Sequence, residues 1–293
     1  MQLCQRPAPL QPGDRLWVTL PSGPLRNRES FDNGIEVWRQ RGYHVDLAPC
    51  HPPQWGYLAG TDTDRRLSLE QGLKDKQYRA VLCGRGGYGG ARLLEQWQWP
   101  PVSKWLVGFS DVTSLLWSLA QTGVSGVHGP VLTTLADEPD WSVQRLFDWV
   151  EGRAIAPLKG TGWSSGTVTG KLLPANLTVA THLLGTAAQP DLSDVILAFE
   201  DVGEAPYRID RMLTQWRMQG LLQSVCGIAL GRFSDCDSSG NVSVEEVLRD
   251  RIGDLGVPVV ADLPFGHQGV NAALPVGMLA CLDSDQGSLT VLP

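Results

Sequence analysis

The stretch LVGFSDVTSLL, residues 106–116, decides how this chain is read. Its apolar run ends at Gly108-Phe109, Ser110 stands at the turn, and from Asp111 onward apolar residues recur at helical spacing. A serine on a tight strand-to-helix turn projects its hydroxyl clear of the sheet, and the amide that follows it points into the same space as an oxyanion donor. The common elbow pattern is G-x-S-x-G, and residues 108–112 lack its final glycine. A second reading makes Ser110 or Asp111 a cap for the helix, which both residue types do well. Local sequence alone leaves the two readings level.

Outward from this turn, the first half alternates short apolar runs with helical patterns. Strands are expected over 15–20, 43–47, 79–83 and 105–108, and helices over 29–41, 61–75, 91–97 and 111–121. Thr61 and Asp64 supply a capping-box-like start for the second of these helices. Strands separated by helices of this length imply parallel βαβ units, so the fold class is α/β. Residues 151–166 (EGRAIAPLKGTGWSSG) carry no apolar period and are expected to link a first domain, 1–150, to a second, 167–293. The second domain reads as β-rich α+β. It has strands over 167–173, 195–199, 225–230 and 257–261, a terminal hairpin turned at 283–287, and helices over 176–184, 206–219 and 243–252.

A length of 293 residues suits two domains of ordinary size, and 42% hydrophobic against 19% charged residues excludes global disorder. The net charge of −7, with no Lys/Arg cluster, makes nucleic acid a poor partner. No apolar run is long enough to span a membrane, and residues 1–14 hold three prolines and no signal-peptide core, so a cytoplasmic protein with no membrane partner is expected. Six cysteines, at 4, 50, 83, 226, 236 and 281, include no C-x-x-C pair, which gives no support to a metal site or a disulfide framework.

CGRGGYGGAR, residues 83–92, follows the third strand and precedes a helix. Gly84, Gly86 and Gly89 satisfy G-x-G-x-x-G, but the motif falls on the wrong strand for a dinucleotide site, no acidic partner follows at the right distance, and no lysine makes a P-loop. Backbone amides at such a place can instead bind a carboxylate or the oxyanion of acyl transfer. A plain tight turn and a nucleotide site stay open beside that use.

A serine nucleophile needs a base, and the histidines are His44, His51, His128, His182 and His267. His267 lies in LPFGHQGVN, a glycine-flanked loop fit for reaching a cleft. His128, in SGVHGP at a strand end, competes with it, while His182 is expected in a packed helical face. A carboxylate should orient the imidazole, and Glu200-Asp201 ends the apolar run VILAF, where an unpaired acid is costly. The order Ser110, Glu200, His267 is the nucleophile-acid-base order of α/β-hydrolases. Residues 235–246 (DCDSSGNVSVEE) match a calcium-loop pattern, yet a strand precedes them and Ser243 with Glu246 reads as a capping box.

The segments CGRGGYG, GFSDVT, KLLPANL, FEDVGEAPYRIDRML and LPFGH together resemble the LD-carboxypeptidase family of serine peptidases, which includes murein tetrapeptide carboxypeptidases and microcin immunity proteins. The resemblance implies a Rossmann-like parallel-sheet N-terminal domain bearing the nucleophile and a β-rich C-terminal domain bearing acid and base. It implies Ser110 as nucleophile, His267 as base, Glu200 as orienting carboxylate, and the amides of Gly87 and Asp111 as the oxyanion hole. Arg85 and Tyr88 would line the substrate end, with Asn176 beside them. No cofactor and no metal are implied, and a homodimer is. The family usually shows Gly-Gly-Asn-Leu where this chain has Pro174-Ala175-Asn176-Leu177, so a turn of different shape is expected there, since Pro and Ala are strained at positive φ. The expected activity is release of a terminal D-alanine from a murein tetrapeptide. Two alternatives are hydrolysis of peptidyl or aminoacyl adenylates, with Trp163 over the base, and a non-catalytic nucleotide-binding module.

Overall fold

The computed structural model describes residues 2–48, 54–236 and 242–292. Arg15–Thr19, His44–Leu47, Tyr78–Cys83, Trp105–Gly108 and Val127–His128 form a parallel sheet in which Arg15–Thr19 lies between His44–Leu47 and Tyr78–Cys83. In chain order this is 2-1-3-4-5, a doubly wound arrangement whose binding crevice lies outside the carboxyl ends of the strands, at the reversal. Leu274–Pro275 adds an antiparallel sixth strand beside Val127–His128, so the late part of the chain returns to the first sheet.

Local chemistry sets the helices. Asn27 caps Arg28–Gln40 through Ser30 N–H, and the reciprocal Thr61/Asp64 box starts Asp62–Lys74. The helix expected over 91–97 is only Gly90–Leu93: the chain turns instead, with Gln96 at φ +61, ahead of Pro100, whose ring disfavours helix in the residue before it. Asp140–Val150, passed over in the sequence reading, buries Leu146, Phe147 and Val150, with Phe147 edge-on to Trp38 at 4.7 Å.

Among the described residues the second sheet has eight strands. Four adjacent ones, Thr167–Asn176, Val195–Val202, Gly227–Ser234 and Val259–Ala261, are parallel. The first two outrun their expected ends because pairing continues through Asn176↔Glu200. Residues 151–166 are not structureless: Leu158–Lys159 and Thr161–Gly162 close the two opposite edges of this sheet. The helix Thr113–Ala120 (TSLLWSLA) is enclosed by protein on all sides, and only Ser118 escapes full burial. Its Trp117 packs edge-on against Trp216 and donates to the Pro174 carbonyl at 3.0 Å, which joins the two halves in one core. Among the described residues, no helix is long and apolar enough to cross a membrane.

Candidate active site

Ser110 directly follows the strand Trp105–Gly108 by one residue and is held at φ +63, a left-handed conformation that costs a non-glycine residue energy. The capping alternative is not realised, because neither Ser110 nor Asp111 makes a side-chain cap bond to the short 3₁₀ turn or the helix behind it. The Asp111 carboxylate, almost fully buried, instead accepts from Ser22 Oγ at 2.5 Å and from the Gly90 amide at 2.6 Å. Burial pushes its pKa up, and those two hydrogen bonds pull it back only in part. The same contact answers the nucleotide reading: the first amide of the helix after the glycine loop already carries a carboxylate, where a phosphate would have to sit.

The glycine loop presses on the serine. A Cβ on Gly86 would stand 2.9 Å from Ser110 Cβ and 3.1 Å from its Oγ, and Gly87 sits at φ +121 against Gly23. Among the described residues the Gly87 amide donates to no backbone carbonyl.

His267 brings the two halves together. Its Nε2 lies 3.0 Å from Ser110 Oγ and its Nδ1 2.6 Å from Glu200 Oε2. An ionised carboxylate only accepts, so Nδ1 carries the proton and Nε2 is left to receive the serine's. Burial alone would lower the imidazole pKa, but the Glu200 hydrogen bond and charge outweigh it and the net shift is upward. Glu200 is fully buried, and burial raises its pKa against the opposing pull of His267. Its other oxygen, Oε1, has no hydrogen-bond partner among the described residues. Asp201, next in sequence, is spent on structure: it accepts from Asn176 Nδ2, Thr178 N and Oγ1, and Val202 N.

Other sequence candidates fall into place around this line. His128 ends a strand beside Gly108 but bonds through neither nitrogen, lying among Phe109 and Phe265 with its pKa pushed down to about 3 by burial and by His267. His182 is exposed, not packed, and its Nδ1 lies 2.6 Å from the Thr178 carbonyl; His51 lies outside the described residues. Arg85 is half-buried and donates to the Pro24 carbonyl at 3.1 Å, whereas Tyr88 is exposed at the rim. Trp163 is covered by the Arg249 guanidinium at 3.9 Å. Residues 237–241 of the calcium-like loop lie outside the described residues; Ser243 and Glu246 form the expected capping box. Among the described residues no group of three or more His, Cys, Asp or Glu could hold a metal.

Three supports were missed. Ser22 holds Asp111. Buried Arg65 donates to the carbonyls of Pro21 and Gly89, tying the two loops together. Glu138 accepts from the Asn271 amide at 3.0 Å and anchors the loop that carries His267. Only Ser22, in the Pro-Ser-Gly turn after the first strand, had a sequence signal.

The sequence pattern of the LD-carboxypeptidase N-terminal domain matches residues 17–129, and that of the LD-carboxypeptidase C-terminal domain matches 169–282. The chain belongs to the LD-carboxypeptidase family. A Synechocystis sp. protein provisionally named a carboxypeptidase is 57% identical over 292 residues, covering 98% of this chain and 97% of its own. The murein tetrapeptide carboxypeptidase of Pseudomonas aeruginosa is 31% identical and covers 84% of this chain and 83% of its own. Among solved structures, the muramoyltetrapeptide carboxypeptidase of Oxalobacter formigenes superposes with a TM-score of 0.85 at 28% identity, over 94% of this chain and 97% of that one.

One expectation about this LD-carboxypeptidase is corrected. Pro174 and Ala175 occupy no positive-φ turn; they are strand residues paired with Ala198 and Phe199. A proline is tolerated because the antiparallel neighbour Leu279–Asp283 pairs with this strand only as far as Lys171, so Pro174 is paired on one side alone, as at a sheet edge. Asn176 then caps the helix Leu177–Leu183 through Val179 N–H and braces Asp201.

Proposed function

We propose that this protein is a serine exopeptidase that removes the terminal D-alanine from murein tetrapeptides, including those still joined to their muramoyl sugar. The observation that carries the reading is the continuous line Ser110 Oγ, His267 Nε2, His267 Nδ1, Glu200 Oε2, with gaps of 3.0 and 2.6 Å, ending on a serine at φ +63. Support for the substrate comes from relatives and a solved structure named for murein or muramoyl tetrapeptides.

In the proposed mechanism Ser110 Oγ attacks the carbonyl preceding the terminal residue as its proton passes to His267 Nε2. Glu200 steadies the imidazolium from the far side. The oxyanion is received by the amides of Gly87 and Asp111, which flank the serine from the glycine loop and from the turn itself. His267 then gives its proton to the leaving amine, water enters, and the same imidazole activates it against the acyl-enzyme. Arg85 and Tyr88 line the substrate end, and Asn176 acts on the site by holding the strand end that carries Glu200. The nucleophile comes from the part within 1–150 and acid and base from 167–293, which we read as two domains sharing the strand Leu274–Pro275.

The proposal includes a homodimer working in the cytoplasm. The family resemblance supports the dimer, and the free state of Cys4, Cys83, Cys226, Cys236 and Cys281 suits a reducing compartment. Mass spectrometry of muropeptides before and after incubation is the deciding experiment. D-Alanine release by the wild type, its loss in Ser110→Ala and His267→Ala with the fold intact, and labelling of Ser110 by a fluorophosphonate are expected; wild-type-like turnover in either variant would refute the assignment.

A further inference from the structure

Trp55, Tyr57 and Tyr88 are left 52%, 59% and 55% exposed, on two loops that are each tied to the turn bearing Ser110. Tyr57 and Tyr88 meet edge-on with ring centroids 5.4 Å apart, and the Arg92 guanidinium lies 6.0 Å from the centre of Trp55. One loop is tied to the nucleophile through Ala59, whose amide donates to the Ser22 carbonyl, while Ser22 Oγ donates to Asp111. The other loop carries Gly86 against Ser110, and Tyr88 follows two residues later, its Cα at most about 7 Å from that of Gly86. Large aromatic groups gathered in solvent at the rim of a cleft mark a place where something docks.

We propose that these three side chains form a sugar subsite that takes the muramoyl ring of the substrate. The inference rests on the murein-peptide reading above. A murein tetrapeptide offers carboxylates, an ammonium group and methyl groups, none of which presents a broad flat face. A pyranose does: its C–H bonds form an apolar face that stacks on an aromatic ring, while its hydroxyls reach the hydroxyls of the two tyrosines. An edge-on aromatic pair covers only one face of one ring, and both tyrosines keep more than half of their surface open. The span also fits. Three residues separate the scissile bond from the sugar, about 10 Å when extended, which carries a chain anchored at Ser110 past Gly86 to the rim.

The test compares D-alanine release from the free tetrapeptide and from the N-acetylmuramoyl tetrapeptide by wild type, Trp55→Ala, Tyr57→Ala and Tyr57→Phe. In the alanine variants kcat/KM for the sugar-bearing substrate should fall about 3- to 10-fold, chiefly through KM, the size of one aromatic stacking contact. Release from the free tetrapeptide should not change, and Tyr57→Phe, which keeps the ring, should retain most of the sugar-dependent gain. Equal losses on both substrates, no loss on either, or a shift in oligomeric state of the alanine variants would overturn the subsite alone. Release from neither substrate by the wild type would overturn the functional reading, and the subsite with it.

Discussion

Replacing Glu200 with glutamine isolates the charge from the shape. Glu200 is fully buried, holds His267 Nδ1 at 2.6 Å, and has no other hydrogen bond on Oε1. Glutamine fills the same volume but carries no charge to stabilise the imidazolium, and wherever its amide nitrogen faces Nδ1 it donates there and selects the wrong tautomer. In an Asp/His/Ser triad the same change lowers kcat about 10⁴-fold, or roughly 5 kcal/mol at 1.36 kcal/mol per decade; a loss of 10³ to 10⁴ is expected here. The fold should not suffer. Because burial raises the Glu200 pKa, its contribution to stability is present below the ordinary carboxyl pKa and is lost as pH rises through the folded value; a neutral side chain escapes that loss, so Tm at pH 7.5 should be no lower than wild type. The pH profile supplies the third arm. The upward shift of His267 puts the acid limb of wild-type kcat/KM above pH 6.5, whereas in Glu200→Gln burial is opposed only by the charge of Asp201 and the limb of the residual activity should move to lower pH than in the wild type. Release of D-alanine within tenfold of wild type, or an acid limb that stays in place, would refute the reasoning.

The remaining predictions probe the scaffold. Gly86→Ala puts a Cβ 3.1 Å from Ser110 Oγ and should cost at least about 100-fold in kcat, because displacing a nucleophile by less than an ångström is enough for that; unchanged single-turnover acylation would count against it. Asp111→Asn either turns an NH₂ toward the two donors that converge on one carboxylate oxygen, Ser22 Oγ and the Gly90 amide, or meets them with an uncharged and weaker acceptor, and should destabilise the fold by about 2 kcal/mol in urea titration. His128→Leu tests the buried ring. With its folded pKa near 3 and an unfolded value near 6.5, the wild type binds fewer protons folded than unfolded in that window, so this residue removes about 2 kcal/mol of stability between pH 6.5 and 5; the leucine variant should lack that part of the acid sensitivity and keep its activity.

How much of this was legible beforehand follows from range. Patterns written within a dozen residues were readable: the strand-serine-helix turn, the two capping boxes, the glycine loop, and the apolar run leading to Glu200. Strand ends were not, since Thr167–Asn176 and Val195–Val202 owe their extra residues to each other's edges rather than to their own composition. The edge strands within 151–166 were hidden for the same reason, as no periodicity marks a two-residue strand that exists only because a sheet edge lies beside it. The choice of Glu200 over Asp201 had no local physical reason, because the difference lies in donors to Asp201 from Asn176 and Thr178, 25 and 23 residues away in the chain.

Long-range polar contacts also explain why Ser110 can keep its conformation. A left-handed non-glycine residue relaxes unless its surroundings fix it from several sides. Here the following residue is pinned through its carboxylate to Ser22 and Gly90, and Ser114 Oγ holds its carbonyl at 2.8 Å. Arg65 binds the carbonyls of Pro21 and Gly89, so the loops bearing those two donors cannot separate. The turn is thus clamped through the side chain and carbonyl of Asp111, which leaves that residue's amide free of the clamp. A serine peptidase needs that division, because an oxyanion donor already committed to holding the turn could not also receive the charge of the transition state.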